Sequence, residues 1–144
     1  MVFKHISRVA AVQMMYQKDV TGEMASDIVV HFNAVLADDE RYRHINLKFF
    51  NRLISHFDEN IDLNVLIDDT FDGRKNLNNA SLLELCVMKV AIIEMIFEKT
   101  DIPVIINEYV EIAKEFVGDN VAGFVNAMLD KISSRIERKC QTEA

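Results

Sequence analysis

The residues of this chain that could hold a metal or move a proton are four histidines, two cysteines and a scatter of carboxylates. His5, His31, His44 and His56 fall on separate stretches, without the close ligand spacing or partnered carboxylates that a zinc or acid-base site requires. They read as surface or helix-edge residues. Asp68, Asp72 and Gly73 imitate a calcium loop, but Thr70 stands where a third acidic ligand is needed and Asn79 where a bidentate Glu belongs. No glycine-rich phosphate loop, nucleophile elbow or Cys/His nucleophile pattern occurs, and Cys86, inside an apolar run, reads as packing. Neither catalysis nor a metal or cofactor is expected.

Binding chemistry is better represented. Lys4 and Arg8 are four residues apart, which on a helix puts both on one face with His5 beside them, so they could reach phosphates together or form a solvated face. Lys89 and Glu94 interrupt the apolar run Leu82 to Phe97, so each is either a rim or paired helix charge or a group presented to a partner. Phe124 follows the turn residues Gly118-Asp119-Asn120 and is either core or a stacking platform at a helix start.

Helical periodicity supplies the elements that must position these residues. Val2, Ile6, Val9, Val12 and Tyr16 predict a helix over residues 3–19, with Arg8 and Gln13 off its apolar stripe. Ile28, Val29, Phe32, Val35 and Leu36 predict a second, capped by Thr21 or Ser26. Leu47, Phe50, Ile54 and Phe57 predict a third, and Leu63, Leu66 and Ile67 a short fourth. The polar, breaker-rich stretch Asp72 to Asn79 divides the chain into sub-domains 1–75 and 76–144. Beyond it, Leu82 to Phe97 is apolar nearly all round, as a helix surrounded by others is. Pro103 opens a sixth helix, Gly118-Asp119 stops it and caps the next, and Phe124 to Ile136 carries the last stripe.

The composition agrees with an all-α fold of seven helices. Half of the 144 residues are apolar and 27% charged, enough for a packed core, while four Gly and one Pro leave too little turn punctuation for a many-stranded β protein. Two cysteines, Cys86 and Cys140, form neither a disulfide framework nor a metal spacing and suggest a reducing, cytoplasmic compartment. No signal peptide or membrane span is read. The net charge of -7 is unevenly spread: residues 1–20 carry Lys4, Arg8 and Lys18 against Asp19, residues 131–144 carry four bases against Glu137 and Glu143, and the middle is strongly acidic. Basic ends on an acidic body suit two different partners, or are simply solvated termini.

The run Ile102-Pro103-Val104-Ile105-Ile106-Asn107-Glu108-Tyr109-Val110-Glu111-Ile112-Ala113-Lys114 resembles the signature of the NusB transcription antitermination family. Arg8-Val9-Ala10-Ala11-Val12-Gln13-Met14-Met15-Tyr16 resembles that family's first-helix motif, Ile92-Ile93-Glu94-Met95 its central-helix ending, and Phe124-Val125-Asn126-Ala127-Met128-Leu129-Asp130 its last-helix motif. The similarity covers essentially the whole chain, whose length is that of the stand-alone members and not of the rRNA methyltransferases with a related extension.

The resemblance implies two small helical bundles packed perpendicular to one another. It also implies binding of boxA-type single-stranded RNA together with the small-subunit ribosomal protein that acts as NusE, in an antitermination complex with RNA polymerase that promotes read-through in rRNA transcription. By position, the RNA contact would fall on Lys4, His5, Arg8, Asn120 and Phe124. This chain departs from the pattern: where many members cluster arginines it has Lys4-His5-Ile6-Ser7-Arg8, and Asn120 stands where relatives often carry an acid. The same resemblance places Glu94 against the ribosomal protein, and Asn107 and Glu108, which fit its signature, serve either that partner or packing and helix-end hydrogen bonds; Lys89, on the helix of Glu94, is a further partner-facing candidate. The alternatives are a protein-protein adaptor, or a homodimer, that retains ribosomal-protein binding with weak RNA binding.

Overall fold

The structure, a computed structural model, describes residues 3–59, 61–71 and 81–139. The expected break at Asp72 to Asn79, Val2 of the first stripe and Cys140 lie outside these residues. The described residues are all-α: seven α-helices and two short 3-10 turns, with no strand among them.

Two compact units divide the chain, Met1–Asn60 and Ile61–Ala144. The division therefore falls about one helix earlier than the expected 75/76 boundary. Its cause is packing: the short helix after Ile61 lies against the last and central helices, so it belongs with them. A run of polar breakers marks a loop, and the core need not change there.

Unit 1 contains α1 (Lys4–Thr21), α2 (Ala25–Asp38), a 3-10 turn (Glu40–Tyr42) and α3 (Leu47–Ile54), with α1 packed on both other helices. Gly22 ends α1 in the left-handed conformation, φ 75°, and its N–H returns to the Lys18 carbonyl, a closure that favours a residue without Cβ. The buried face of α1 is rotated from the expected one. Ala10, Ala11, Met14 and Met15 are enclosed together with Ser7 and Arg8, while Tyr16 is 40% exposed. The small side chains at Ser7, Ala10 and Ala11 let the neighbouring helices approach this face, so size and not only polarity selects it.

The cap of α2 also differs from expectation. Thr21 is the last residue of α1 and Ser26 lies within α2. The cap is supplied from a distance: Asp58 accepts the N–H groups of Ala25 at 2.7 Å and Ser26 at 3.0 Å, and Lys18 approaches it at 3.6 Å. Burial raises the Asp58 pKa, but the two N–H donors and Lys18 outweigh that effect and hold it below the usual carboxylate range.

Unit 2 contains α4 (Leu63–Thr70), α5 (Leu82–Phe97), α6 (Ile102–Phe116), a 3-10 turn (Asp119–Val121) and α7 (Ala122–Ser133). Ser81 caps α5 by accepting the Glu84 N–H at 3.1 Å, with Glu84 in the third helical position as in a capping box. Every residue from Cys86 to Ile96 is buried, Lys89 and Glu94 included, as expected of a helix apolar nearly all round, and α6 and α7 both pack on this helix. Each fully enclosed Ile or Met there contributes roughly 1.5–3 kcal/mol. Gly118 takes φ 143° after α6, but Asp119 does not cap α7: it opens the 3-10 turn, and α7 starts at Ala122 without a side-chain cap. Past α7, Arg138 donates to the carbonyls of Glu98 and Thr100, which fastens the following segment to the α5–α6 turn.

Candidate functional site

The start of α1 is held against α3 by reciprocal hydrogen bonds. Ser7 donates its hydroxyl to the Asn46 carbonyl at 2.8 Å and accepts the Asn46 N–H at 3.0 Å. Asn46 is at the same time the cap of α3, its Oδ1 accepting from Phe49 N at 3.1 Å. Phe3 completes the arrangement through its N–H to the His44 carbonyl at 2.8 Å.

This lock brings three cations to one aromatic ring. Lys4 Nζ lies 5.0 Å, Arg8 Cζ 5.1 Å and Arg52 Cζ 5.6 Å from the centroid of Phe49, whose side chain is fully buried. Each contact contributes about 0.5–2 kcal/mol, more where water is excluded. The spacing argument put Lys4 and Arg8 on one face, and both do address the same ring. Their exposure differs, however. Lys4 is exposed and His5 half-buried, whereas Arg8 is only 4% exposed, so it belongs to the buried side of α1 and not to an open basic face. The sequence reading missed Arg52, an exposed residue of α3 that joins the cluster. Its i, i+4 relation to Lys48 was the available signal, but nothing in the sequence places α3 beside α1.

In unit 2, Asn120 is exposed in the turn before α7, and Phe124 is half-buried in that helix's first turn. Phe124 is neither fully core nor fully exposed. It meets Phe71 edge to face, ring centroids 6.4 Å apart, and part of its surface is left open to solvent.

The expected partner-facing charges of α5 need correction. Glu94 is 0% exposed and accepts the Tyr109 hydroxyl at 2.8 Å, so this carboxylate ties α5 to α6 and does not face outward. Lys89 is likewise buried, at 9% exposure. Both sit on a helix covered by α6 and α7, which encloses whatever it carries. Asn107 is exposed on α6 and Glu108 half-buried. Among the described residues no three His, Cys, Asp or Glu side chains gather as a metal site. His31 and His44 are exposed, His56 lies 2.6 Å from Glu59, and Cys86 is buried.

The family profile that matches this chain is that of the NusB family, over residues 5–134. The chain belongs to the NusB family. A transcription antitermination protein NusB of Rickettsia bellii (strain OSU 85-389) is 34% identical over 146 residues, covering 94% of this chain and 92% of the relative. A second NusB relative, from Campylobacter hominis, is 29% identical over 135 residues, covering 92% and 97%. A solved structure of T. maritima NusB superposes with a TM-score of 0.73 at 28% identity and covers 93% of each chain. The all-helical NusB fold of the chain follows from both kinds of likeness. Among the described residues no helix is long and apolar enough to cross a membrane.

Proposed function

We propose that the chain is a non-catalytic, cytoplasmic transcription antitermination factor. In this reading it binds boxA-type single-stranded RNA together with the ribosomal protein acting as NusE, joins a complex with RNA polymerase and promotes read-through in rRNA transcription. Family membership supports the antitermination role. The observation that carries the RNA part is the convergence of Lys4, Arg8 and Arg52 on Phe49. Cations gathered on one ring attract a phosphate, which releases its own counterions as it binds.

Lys4, Arg52 and His5 are the outward groups for phosphate, and Arg8 stiffens the cluster from beneath. Phe124, half-buried and in contact with Phe71, is the candidate to meet an unstacked base, and Asn120 offers an uncharged amide to base or phosphate. Asn107 and Glu108 are the remaining candidates for the ribosomal-protein contact, because Glu94 and Lys89 are enclosed. Composite recognition lets two modest surfaces act as one strong one.

The burial of Arg8 favours a second reading, a protein adaptor or homodimer whose own RNA affinity is weak. Titration of labelled boxA RNA and a scrambled control, with and without the ribosomal protein, separates the two. Selective binding that the partner tightens is expected. Feeble, unselective RNA binding beside an intact protein contact would establish the adaptor instead.

A further inference from the structure

The C-terminal end of α2 is electrostatically unfinished. A helix C-terminus carries partial negative charge and favours a cation, yet α2 has no basic residue in its last turn and runs into Asp38, Asp39 and Glu40. Arg41 answers Asp39, gripping its carboxylate with Nε at 3.0 and 3.1 Å and Nη2 at 2.6 Å, and its guanidinium lies 5.5 Å from the centroid of the Tyr42 ring. This grip holds Asp39 below the usual carboxylate range. Asp38 and Glu40 are exposed, and no cation among the described residues pairs with either.

Beside this acidic end opens a cleft of about 570 Å³ within unit 1, lined by the acids Asp38, Asp39 and Glu40, by one cation, Arg43, and by apolar side chains that include Ile45 and Leu47. Leu47, expected to be part of the α3 core stripe, is instead 50% exposed there. On the other flank of the same acidic end, Val35 is 51% exposed and lines a second hollow with Ala34. With Asp39 matched by Arg41, the two acids Asp38 and Glu40 outnumber the one remaining lining cation, Arg43, and the exposed Val35 and Leu47 flank them, a combination complementary to a segment that is itself apolar and basic.

We propose that this cleft docks a basic, apolar peptide segment of a protein partner. An aliphatic side chain of the segment lies against Leu47 and Ile45, and its lysine or arginine pairs with Asp38 and Glu40 at the negative end of α2. The site is separate from the Phe49 cluster and does not depend on RNA binding.

The test uses the full chain and a fluorescein-labelled peptide of alternating leucine and lysine, with serine-lysine and leucine-glutamate peptides as controls, read by anisotropy. The leucine-lysine peptide should bind and both controls should not. Asp38→Lys with Glu40→Lys should weaken it roughly tenfold, since two attractive rim charges become repulsive. Leu47→Ser, at an exposed position, should weaken it severalfold while circular dichroism stays unchanged. Asp130→Lys with Glu137→Lys in unit 2 should leave it within about twofold. Equal loss from the two charge reversals, equal binding of the serine-lysine peptide, or indifference to Leu47→Ser would each overturn the proposal by showing diffuse attraction to an acidic protein. Leu47→Ser titrated with boxA RNA should behave as the unaltered chain, so the cleft fails or stands on the peptide alone.

Discussion

In unit 1 three cations, Lys4, Arg8 and Arg52, converge on the buried ring of Phe49 and two of them keep contact with solvent, whereas in unit 2 Glu94 is sealed inside and bound to Tyr109. Both arrangements place charge against apolar side chains. The difference lies in the thickness of cover. α1 and α3 carry their cations at the margin of a small core, while α5 is wrapped by α6 and α7, so a charge on it must find an internal partner. Net charge divides the same way, with seven bases against eight acids in unit 1 and nine against fifteen in unit 2. So does exposed apolar surface: Phe3, Tyr16, Val20, Met24, Val30, Val35 and Leu47 of unit 1 are exposed, against Val65, Leu82 and Val104 among the described residues of unit 2. Among the described residues, the first unit therefore exposes more large apolar side chains than the second.

The largest effect should come from the sealed charge. Glu94→Ala should cost about 2–4 kcal/mol, because it leaves a cavity and deprives the Tyr109 hydroxyl of its acceptor. Urea unfolding measures this. A loss under about 0.5 kcal/mol would mean that Glu94 is not structural, and the contrast between the units would collapse.

Asp58→Ala should cost about 1–2 kcal/mol by uncapping α2. Because the folded-state pKa of Asp58 is lowered, its contribution is complete above the unfolded carboxylate value, near 3.9, and disappears as pH falls through the folded value. The stability gap between the unaltered chain and Asp58→Ala should hold at neutral pH and close below about pH 4. A gap independent of pH would contradict the charge-assisted cap.

Arg52→Ala should lower stability by only about 0.5–1 kcal/mol, the worth of one exposed ring contact, yet weaken RNA binding measurably. Asn120→Asp should change stability by less than about 0.5 kcal/mol, as a surface substitution does. Its effect on RNA should be a loss of several-fold from one added repulsion of about 1 kcal/mol. Unchanged RNA affinity in Asn120→Asp would remove that residue from the interface.

Much of this architecture was legible in the residues. The seven helices follow from periodicity, and α5 was recognisable as the central helix because apolar residues surround it on every side. What could not be read was decided by partners distant in sequence. Asp58 caps α2 from more than thirty residues away, and Ser7 locks to Asn46 across thirty-nine. Arg8 looked like a surface cation until α3 placed Phe49 beneath it. Glu94 looked like a partner contact until Tyr109 closed over it. For Glu94 the local pattern left two readings open, and the contact with Tyr109 decided between them. Leu47 shows the reverse, since its periodic position suggested core and the end of α2 left it uncovered.

In the proposed function the cations around Phe49 are a phosphate site. The measurement is the salt dependence of boxA RNA affinity for the unaltered chain and for Lys4→Ala with Arg52→Ala, in the presence of the ribosomal protein. Each lost contact to a single strand should flatten the logarithmic slope by about 0.7, so the double variant should bind more weakly with a slope shallower by about 1.4. An unchanged slope and affinity, with the fold intact by circular dichroism, would contradict the assignment.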